Sequence, residues 1–357
     1  MKIGIMIPSL NTGGAERTAV SLANWLAENT NDEIYLINLG KNDNNYDINS
    51  KVKIYSKKKC TNILDRIKEY IKVISFLNSV KFDIIFEMLF TPLKYAIFHK
   101  IFNRKLVIIG SERANPQRYS TLFKKVRCKV APVFCNGYIF QTNKVKNMFS
   151  KYIQKKSVVI PNAISNPDVY NLKKNIKKKK IITSVGRLTY QKGFDTLIRA
   201  YIEVYKSHPE YDLIIYGDGP MREELMKLIR DNGMEHHIFL PGNCKNVVET
   251  IAKSTLFVMC SRFEGMPNAL MEAMAIGLPC ISTDCIAGPS ELIDNKKNGL
   301  LVEIDNIEEI KNAILYLIEN DTIREMIANN ALDIKKTNAA DIIYKKYYDY
   351  FKACYNK

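Results

Sequence analysis

The chain has 357 residues, 46% of them apolar, which is enough for two globular α/β domains with separate cores. No apolar run approaches the roughly 18 residues of a membrane-spanning helix, and Met1–Pro8 is too short for a signal peptide, so a cytosolic protein is expected. The net charge of +16 is uneven, because residues 1–180 hold 33 Lys and Arg against 12 Asp and Glu while the remainder holds 20 against 25.

Short β-branched runs alternate with helical patterns along the first half, which is typical of parallel sheets with crossover helices. Strands are predicted near residues 2–7, 33–39, 83–87, 106–111, 137–141 and 157–160. Helices are predicted near residues 14–28, 62–79, 92–102 and 143–151. Turn residues and like charges from Pro161 to Lys180 then indicate a linker or an exposed loop.

The second half repeats this pattern. Strands are predicted near residues 181–186, 212–217, 237–240, 255–259 and 279–283. Helices are predicted near residues 193–207, before 232, and near 245–253, 267–277 and 338–356. The sequence therefore predicts an α/β protein with two Rossmann-like, doubly wound parallel-sheet domains, 1–164 and 165–337, and a last helix, 338–357, that packs back on the first domain. Such sheets bind ligands at the carboxyl ends of their strands, so we expect a cleft between the domains to hold the site.

The segment from Glu264 to Glu272 has the most specific pattern. Gly265 permits close approach of the backbone to a ligand, and Pro267 suits the first turn of a helix. The N–H groups around residues 266–269 would then meet a phosphate or sugar oxygen. Each carboxylate can accept paired hydroxyls, Glu264 from a sugar and Glu272 from a ribose. The alternative is that Glu264 is only an anion at a helix N-terminus and that Glu272 faces solvent.

Arg187 and Lys192 flank the turn after the first strand of the second domain. Cleavage of a sugar–phosphate bond leaves negative charge on a diphosphate, and two fixed cations can stabilise that charge as a metal ion would. The alternative is ordinary surface charge in a loop.

Gly13-Gly14 follows the first strand and opens a helix. The segment lacks the Gly-x-Gly-x-x-Gly spacing of a dinucleotide site, but Gly14 leaves room for a ligand above the helix.

No metal site is expected. The seventeen aspartates include no Asp-x-Asp pair, and the eight cysteines are scattered without a Cys-x-x-Cys pair. Free thiols in a reducing compartment are predicted instead.

Four segments in this order resemble family 4 retaining glycosyltransferases of the GT-B fold. They are residues 13–17, 185–193, 216–220 and 264–274. The resemblance covers essentially the whole chain. It implies metal-independent, cofactor-free transfer, with retention, of a hexose or N-acetylhexosamine from a nucleotide diphosphate sugar, expected to be a UDP-sugar.

The resemblance also implies a role for each site residue. Arg187 and Lys192 would hold the donor diphosphate, Glu264 would read the transferred sugar and Glu272 would bind the ribose. The remaining donor-binding residues would be Gly14, Gly217, Gly242, Gly265, Met266, Pro267 and Asn268.

One position departs from the family. Many relatives have a histidine near the reacting sugar, whereas Glu112-Arg113 occupies the comparable segment here. Arg113 can bind sugar or phosphate oxygens but is a poor proton carrier at neutral pH. Its role is therefore either in the acceptor region or structural, as a partner in an ion pair.

The basic half contains three amphipathic, lysine-rich segments, at residues 63–74, 122–130 and 144–156. Apolar faces flanked by cations can rest on an anionic bilayer. By analogy, the acceptor would be a glycan on a polyprenyl diphosphate, in capsule, O-antigen or N-glycan precursor assembly, with the protein peripheral to the inner face of the cell membrane. If the segments are ordinary surface helices, the acceptor could be soluble.

Two other functions remain open from the sequence. A sugar-nucleotide 2-epimerase shares the two-domain architecture. A pI of about 9.3 also fits a non-catalytic nucleic-acid-binding protein, but the motif-bearing half is net acidic, so no nucleic-acid partner is expected.

Overall fold

The computed structural model divides the chain into two units. The described residues are 1–10, 13–40, 46–58, 60–88, 93–113, 131–166, 168–172 and 176–357. The first unit comprises Met1–Ser165 and Ala340–Lys357, and the second comprises Asn166–Ala339. These divisions lie one or two residues from the boundaries predicted above.

The first unit is built on a seven-stranded parallel sheet. Its strands are β1 (Lys2–Ile7), β2 (Glu33–Asn38), β3 (Lys53–Ser56), β4 (Ile84–Glu87), β5 (Val107–Glu112), β6 (Gly137–Phe140) and β7 (Ser157–Val159). Its described helices are α1 (Gly14–Asn29), α2 (Ile63–Val80), α3 (Leu93–Phe102), α4 (Asn143–Asn147), α5 (Lys151–Lys155) and the C-terminal helix (Ala340–Tyr355). The strand order is β3-β2-β1-β4-β5-β6-β7. β1, β2 and β4 are almost continuously buried, as expected of strands covered on both faces.

The C-terminal helix packs into the core of the first unit. Tyr347 and Phe351 are fully buried in the same cluster as Ile5 of β1 and Leu26 of α1. The rings of Phe86 and Tyr347 lie 5.6 Å apart, edge to face. The last helix therefore completes the layer over one face of this sheet, although it is the most distant segment in the sequence.

The second unit contains a six-stranded parallel sheet. Its strands are β8 (Ile181–Val185), β9 (Asp212–Tyr216), β10 (Ile238–Gly242), β11 (Leu256–Met259), β12 (Cys280–Thr283) and β13 (Leu300–Val302). Its described helices are α6 (Asp168–Asn171), α7 (Phe194–Tyr205), α8 (Arg222–Asp231), α9 (Val247–Ile251), α10 (Asn268–Ala275), α11 (Pro289–Leu292), α12 (Ile307–Glu319), α13 (Asp321–Ala331) and α14 (Ile334–Thr337). The order is β10-β9-β8-β11-β12-β13.

In both sheets the second and third strands in chain order lie on one side of the first strand, and the later strands lie on its other side. In the second unit the reversal lies between β8 and β11, which are hydrogen-bonded neighbours. Such a reversal leaves a crevice at the carboxyl ends of the two strands. The predicted fold class, two doubly wound parallel sheets, is confirmed.

Some local predictions were wrong. Residues 143–151 do not form one helix, because Thr142 and Ser150 each cap a separate short helix by accepting the N–H of Val145 and Ile153. β3 was missed because it is a partly exposed edge strand with a weak apolar pattern. The patterns also predicted no element between residues 284 and 337, where β13, α12 and α13 lie.

Across the described ranges, the structure has no helix that is both long and apolar enough to cross a bilayer.

Candidate functional site

The loops that follow β8 and β11 meet where the strand order of the second sheet reverses. Nζ of Lys192, after β8, lies 2.6 Å from Oε1 of Glu264, after β11. The lysine side chain is 19% exposed and the glutamate side chain 8%. Two of the three residues predicted to carry the chemistry therefore form an ion pair at the topological switch point of the sheet.

Glycines allow the two loops to approach this closely. Gly193 has a φ of 61°, in the left-handed region, and a Cβ there would lie 2.0 Å from the carbonyl oxygen of Cys260. A Cβ on Gly186 would lie 3.1 Å from Cε of Lys192, so the aliphatic stem of the lysine runs along the end of β8. The Lys192-Gly193 pair thus fixes both the cation and the turn that presents it.

The Glu264 carboxylate is fixed by a hydrogen bond from Ser261, which lies just after β11. Oγ of the fully buried Ser261 donates to Oε1 of Glu264 at 2.7 Å. Oγ1 of Thr283, at the end of β12, donates to the carbonyl oxygen of Ser261 at 2.6 Å. Oε2 of Glu264 accepts no hydrogen bond from any described residue, and it is not among the fully buried side-chain atoms that lack a partner. One carboxylate oxygen is thus anchored, and the other is open to a ligand hydroxyl.

Arg262 ties the loop after β11 to the loop after β8. Its guanidinium donates to both carboxylate oxygens of Asp195, at 3.0 and 2.7 Å, and its Nε donates to Asp305 at 3.0 Å. It also donates to the carbonyl oxygen of Tyr190 at 2.8 Å and lies over the Tyr190 ring, 4.1 Å from the centroid. We call Arg262, Asp195 and Asp305 the arginine clamp.

Two members of the arginine clamp, Arg262 and Asp305, stabilise each other's charged forms. Burial alone would lower the pKa of Arg262, but the hydrogen bonds with Asp195 and Asp305 raise it. Burial would raise the pKa of Asp305, and the bonds from Arg262 and Thr196 outweigh that effect and lower it. Sequence reasoning missed the clamp. The only local signal was an arginine two residues before Glu264 and an aspartate three after Lys192.

α10 carries the predicted donor-binding segment. It begins at Asn268, one residue later than predicted, with Pro267 as its N-cap. The first amides of α10 have no partner inside the helix and can donate to an anion. Glu272 lies four residues after Asn268, on the same side of α10, and is 8% exposed. Met266 is buried.

A second loop fixes the segment before α10. Gly288 has a φ of 96°, and a Cβ there would lie 2.2 Å from the carbonyl oxygen of Gly265 and 2.8 Å from Cδ of Pro267. The loop before α11 thus packs directly on the Gly265–Pro267 turn. This support between distant loops was not predicted from the sequence.

Gly217 and Gly242 lie at the ends of β9 and β10. Gly217 has a φ of 141°, a Cβ there would lie 1.9 Å from the carbonyl oxygen of Gly186, and its N–H donates to Gly242 at 2.8 Å. Gly242 has a φ of 86° and faces open space.

The guanidinium of Arg187 is exposed and has no ion-pair partner among the described residues. Its predicted contact with a diphosphate remains a prediction.

Gly14 is the first residue of α1 and is exposed. The Glu16 side chain folds back over Gly13. A Cβ on Gly13 would lie 2.2 Å from Oε2 of Glu16. Burial raises the pKa of Glu16, and the nearby charge of Arg113 partly opposes that effect.

Arg113 follows β5 and is 9% exposed. Its guanidinium donates to Oη of Tyr347 at 3.3 Å and to Oδ1 of Asn162. These contacts link the end of β5 to the C-terminal helix and to the segment after β7, and both of these partners are neutral rather than the ion-pair partner of the structural alternative. The preceding residue, Glu112, is the last residue of β5 and is buried.

One predicted feature, the lysine-rich segment 122–130, falls outside the described residues. Within the described ranges, no three His, Cys, Asp or Glu side chains are grouped so as to hold a metal ion.

The second unit is similar to a known family. Residues 168–333 match the model of the family described as glycosyl transferases group 1. The amylovoran biosynthesis glycosyltransferase AmsD of Erwinia amylovora is 27% identical over 98% of this chain and 99% of its own.

A second relative comes from Campylobacter jejuni. The N-acetylgalactosamine-N,N'-diacetylbacillosaminyl-diphospho-undecaprenol 4-alpha-N-acetylgalactosaminyltransferase of that organism is 29% identical over 92% of this chain and 93% of its own.

A solved structure shares the fold of the whole chain. HepE from Anabaena, in complex with UDP and glucose, superposes with a TM-score of 0.80 at 20% identity, and the match covers 99% of both chains. At that identity the likeness concerns the arrangement of helices and strands alone.

Proposed function

We propose that the chain acts as a group 1 glycosyltransferase, because residues 168–333 match the model of that family and the fold is GT-B. On that premise we propose that it transfers a hexose or N-acetylhexosamine, with retention and without a metal ion, from a UDP-sugar to a lipid-linked glycan.

The observation that carries this proposal is the ion pair of Lys192 and Glu264 at the switch point of the second sheet. A nucleotide sugar presents a diphosphate and a sugar side by side. A cation and a carboxylate with one open oxygen, 2.6 Å apart, match those two groups. Glu272, one turn into α10, supplies a second carboxylate for the ribose hydroxyls.

The proposed reaction leaves negative charge on the donor diphosphate. The bond between C1 of the sugar and the diphosphate oxygen breaks, and a bond from C1 to the acceptor oxygen forms on the same face. The acceptor proton passes to the departing phosphate oxygen. Lys192 and Arg187 stabilise the developing charge, as do the first amides of α10. No protein nucleophile is needed for this sequence of events.

The donor and acceptor classes are supported by relatives. HepE was solved with UDP and glucose, and the Campylobacter jejuni relative is named for a diphospho-undecaprenol acceptor. The basic first half of this chain fits an acceptor held at an anionic membrane surface.

The test begins with a thermal-shift screen of UDP-glucose, UDP-galactose, UDP-N-acetylglucosamine and UDP-N-acetylgalactosamine. The stabilising donor is then offered with a glycan on polyprenyl diphosphate, with and without EDTA. We expect transfer that EDTA does not affect and, by NMR, a product with the anomeric configuration of the donor. An inverted product rules out retention, and loss of activity in EDTA that Mg²⁺ restores rules out metal independence. Epimerised donor without an acceptor would instead indicate a 2-epimerase.

A further inference from the structure

Two groups share one oxygen of the Glu264 carboxylate. Oε1 of Glu264 accepts from Nζ of Lys192 at 2.6 Å and from Oγ of Ser261 at 2.7 Å. Both donors lie on loops at the carboxyl end of the second sheet, Lys192 after β8 and Ser261 after β11. The carboxylate that would bind the transferred sugar is therefore held by two donors of different kinds, one charged and one neutral.

Lys192 is the donor that can move. Its side chain is 19% exposed, and among the described residues its Nζ donates to no acceptor other than Glu264. An ammonium group on a flexible four-carbon stem can turn toward another anion without displacing the backbone. A donor diphosphate carries more negative charge than a single carboxylate, so it competes with Glu264 for this ammonium group.

Ser261 is fixed on both sides by neighbouring loops and strands. Its side chain is fully buried, and its carbonyl oxygen accepts from Oγ1 of Thr283 on β12 at 2.6 Å. The next residue, Arg262, donates its backbone N–H to the carbonyl oxygen of Gln191 at 2.8 Å. Nε2 of Gln191 donates to the carbonyl oxygen of Phe263 at 2.9 Å. The hydroxyl group of Ser261 therefore keeps its place when a neighbouring side chain turns away.

Glu264 needs a donor of this kind once the lysine is engaged elsewhere. Its side chain is 8% exposed, and a nearly buried carboxylate that loses its counter-ion is strongly destabilised unless other donors hold it. Among the described residues, Ser261 is the one donor to this carboxylate besides Lys192. Without the Ser261 hydroxyl group, the carboxylate would follow the ammonium group or turn away from the sugar.

We propose that the donor diphosphate takes Lys192 over from Glu264, and that Ser261 is the positioning residue that then holds the Glu264 carboxylate against the transferred sugar. The ion pair keeps the ammonium group and the carboxylate together until the donor binds, and the donor then separates their tasks. Thr283 supports this arrangement because it fixes the backbone of Ser261. This inference rests on the proposed function, because it takes the ligand to be a nucleotide diphosphate sugar.

The test compares ligands that carry the sugar with one that lacks it. Calorimetry measures the affinity of the whole protein for UDP and for UDP-glucose, UDP-galactose, UDP-N-acetylglucosamine and UDP-N-acetylgalactosamine. In Ser261→Ala, the affinity for the UDP-sugar that the wild type binds best should fall about tenfold, because a hydrogen bond to a charged group is lost. The affinity for UDP should fall by no more than about threefold, because UDP engages Lys192 but has no sugar for Glu264 to bind.

Ser184→Ala is the matched control. Ser184 lies on β8, is buried, and donates its hydroxyl group to the carbonyl oxygen of Val258 at 2.6 Å. The substitution therefore removes the same group from the same sheet, but from a serine that donates to a strand carbonyl rather than to Glu264. It should leave both affinities unchanged. Equal losses for UDP and the UDP-sugar in Ser261→Ala would mean a general disturbance of the loop and would overturn the positioning role. So would an unchanged affinity for the UDP-sugar.

Glu264→Gln tests the competition for Lys192. The amide keeps the shape of the side chain and can accept from Ser261, but it carries no charge, so Lys192 is free to hold the phosphates. UDP should bind this variant about threefold more tightly than the wild type, which is the scale of one partly exposed ion pair. The UDP-sugar should show no such gain, because its sugar loses a charged acceptor. An affinity for UDP equal to or below that of the wild type would overturn the proposed transfer of Lys192 to the diphosphate.

The same titrations separate this inference from the proposed function. If the wild type binds neither UDP nor any of the four UDP-sugars, the proposed function fails, and the inference fails with it. If the wild type binds them and both Ser261→Ala and Glu264→Gln keep its affinities, only the inference fails.

Discussion

The two units share one topology but arrange their polar groups in opposite ways. In the second unit two cations near the sheet edge meet carboxylates, since Lys192 pairs with Glu264 and Arg262 pairs with Asp195. In the first unit Arg66 and Lys68 of α2 are exposed beside the exposed apolar side chains of Ile63 and Ile67, and the buried carboxylate of Glu87 accepts no hydrogen bond from a described residue. The same fold therefore carries an internally paired site in one unit and an exposed, mixed cationic and apolar surface in the other.

The two arrangements of charge provide specificity in different ways. Paired charges held by glycine turns fix atoms to within tenths of an ångström, which chemistry at a reacting centre requires. Exposed cations beside exposed apolar residues suit a partner that is large, fluid and anionic.

Lys192→Ala tests the paired site most directly. We expect kcat for transfer to fall about 10²–10³-fold, because one preorganised cation no longer stabilises the leaving diphosphate. Lys206→Ala is the control, since Lys206 is an exposed lysine of the same unit paired only with Glu203. A kcat within twofold of wild type, with circular dichroism showing a folded protein, would remove Lys192 from the mechanism.

Arg262→Ala tests whether the arginine clamp acts on the site or only on stability. The free energy of unfolding should fall by about 2 kcal/mol, less than for a fully buried pair because both aspartates are partly exposed. We also expect kcat to fall about tenfold, since Lys192 and Glu264 lose their alignment.

The first unit offers a comparison for this arginine. Arg113 is also buried, but Tyr347 and Asn162, which accept hydrogen bonds from its guanidinium, are neutral. Arg113→Ala should destabilise the protein without changing the affinity for UDP, measured by calorimetry. Arg262→Lys keeps the charge but not the two-pronged contact and should recover activity only in part. If Arg262→Ala loses stability at unchanged kcat, the clamp is structural alone.

Gly193→Ala measures the close approach of the two site loops. The new methyl group would meet the Cys260 carbonyl oxygen at 2.0 Å in a left-handed backbone, so the free energy of unfolding should fall by about 3 kcal/mol or more. Gly233→Ala is the matched control, because Gly233 has a φ of 65° with nothing within 4 Å among the described residues. It should cost only about 1 kcal/mol. Equal losses in chemical denaturation would show that the backbone conformation, not the contact, decides.

Glu87→Gln gives the smallest effect and concerns the first unit. Burial raises the pKa of Glu87 well above its ordinary value of 4.5, so the folded state keeps a proton that the unfolded state releases. The wild type therefore loses stability as pH rises from about 4.5 toward the folded pKa. The variant has no such dependence. We expect its stability relative to wild type to be greater at pH 7 than at pH 4.5. Cys135 does not interfere, because burial raises its pKa to about 12.

Much of the fold could be predicted because parallel sheets leave a local signal. β1 and β8 are apolar runs followed by glycine-containing turns, and α1 and α7 follow at helical periodicity. β3 could not be predicted in this way, since it is half exposed and its apolar pattern is weak.

The candidate site was predicted as a set of residue types rather than as a geometry. Lys192 and Glu264 stood out because each follows a strand and adjoins a glycine. Nothing in either local segment indicated that they touch, as they are 72 residues apart. Arg262 and Asp195 adjoin predicted site residues in the sequence, but nothing indicated that they bind each other or Asp305. A charged residue in a loop looks the same in sequence whether it is solvated or in an ion pair.

The sequence by itself determined the two doubly wound sheets, the uneven charge and the residues that end the central strands, because strand periodicity, helix periodicity and turn chemistry are local properties. Only the tertiary structure decided which loops meet, that Arg262 joins Asp195 and Asp305, and that the apolar side of α2 is left facing solvent. The physical reason is that strand order, not sequence distance, sets these contacts, and burial depends on what packs above each helix.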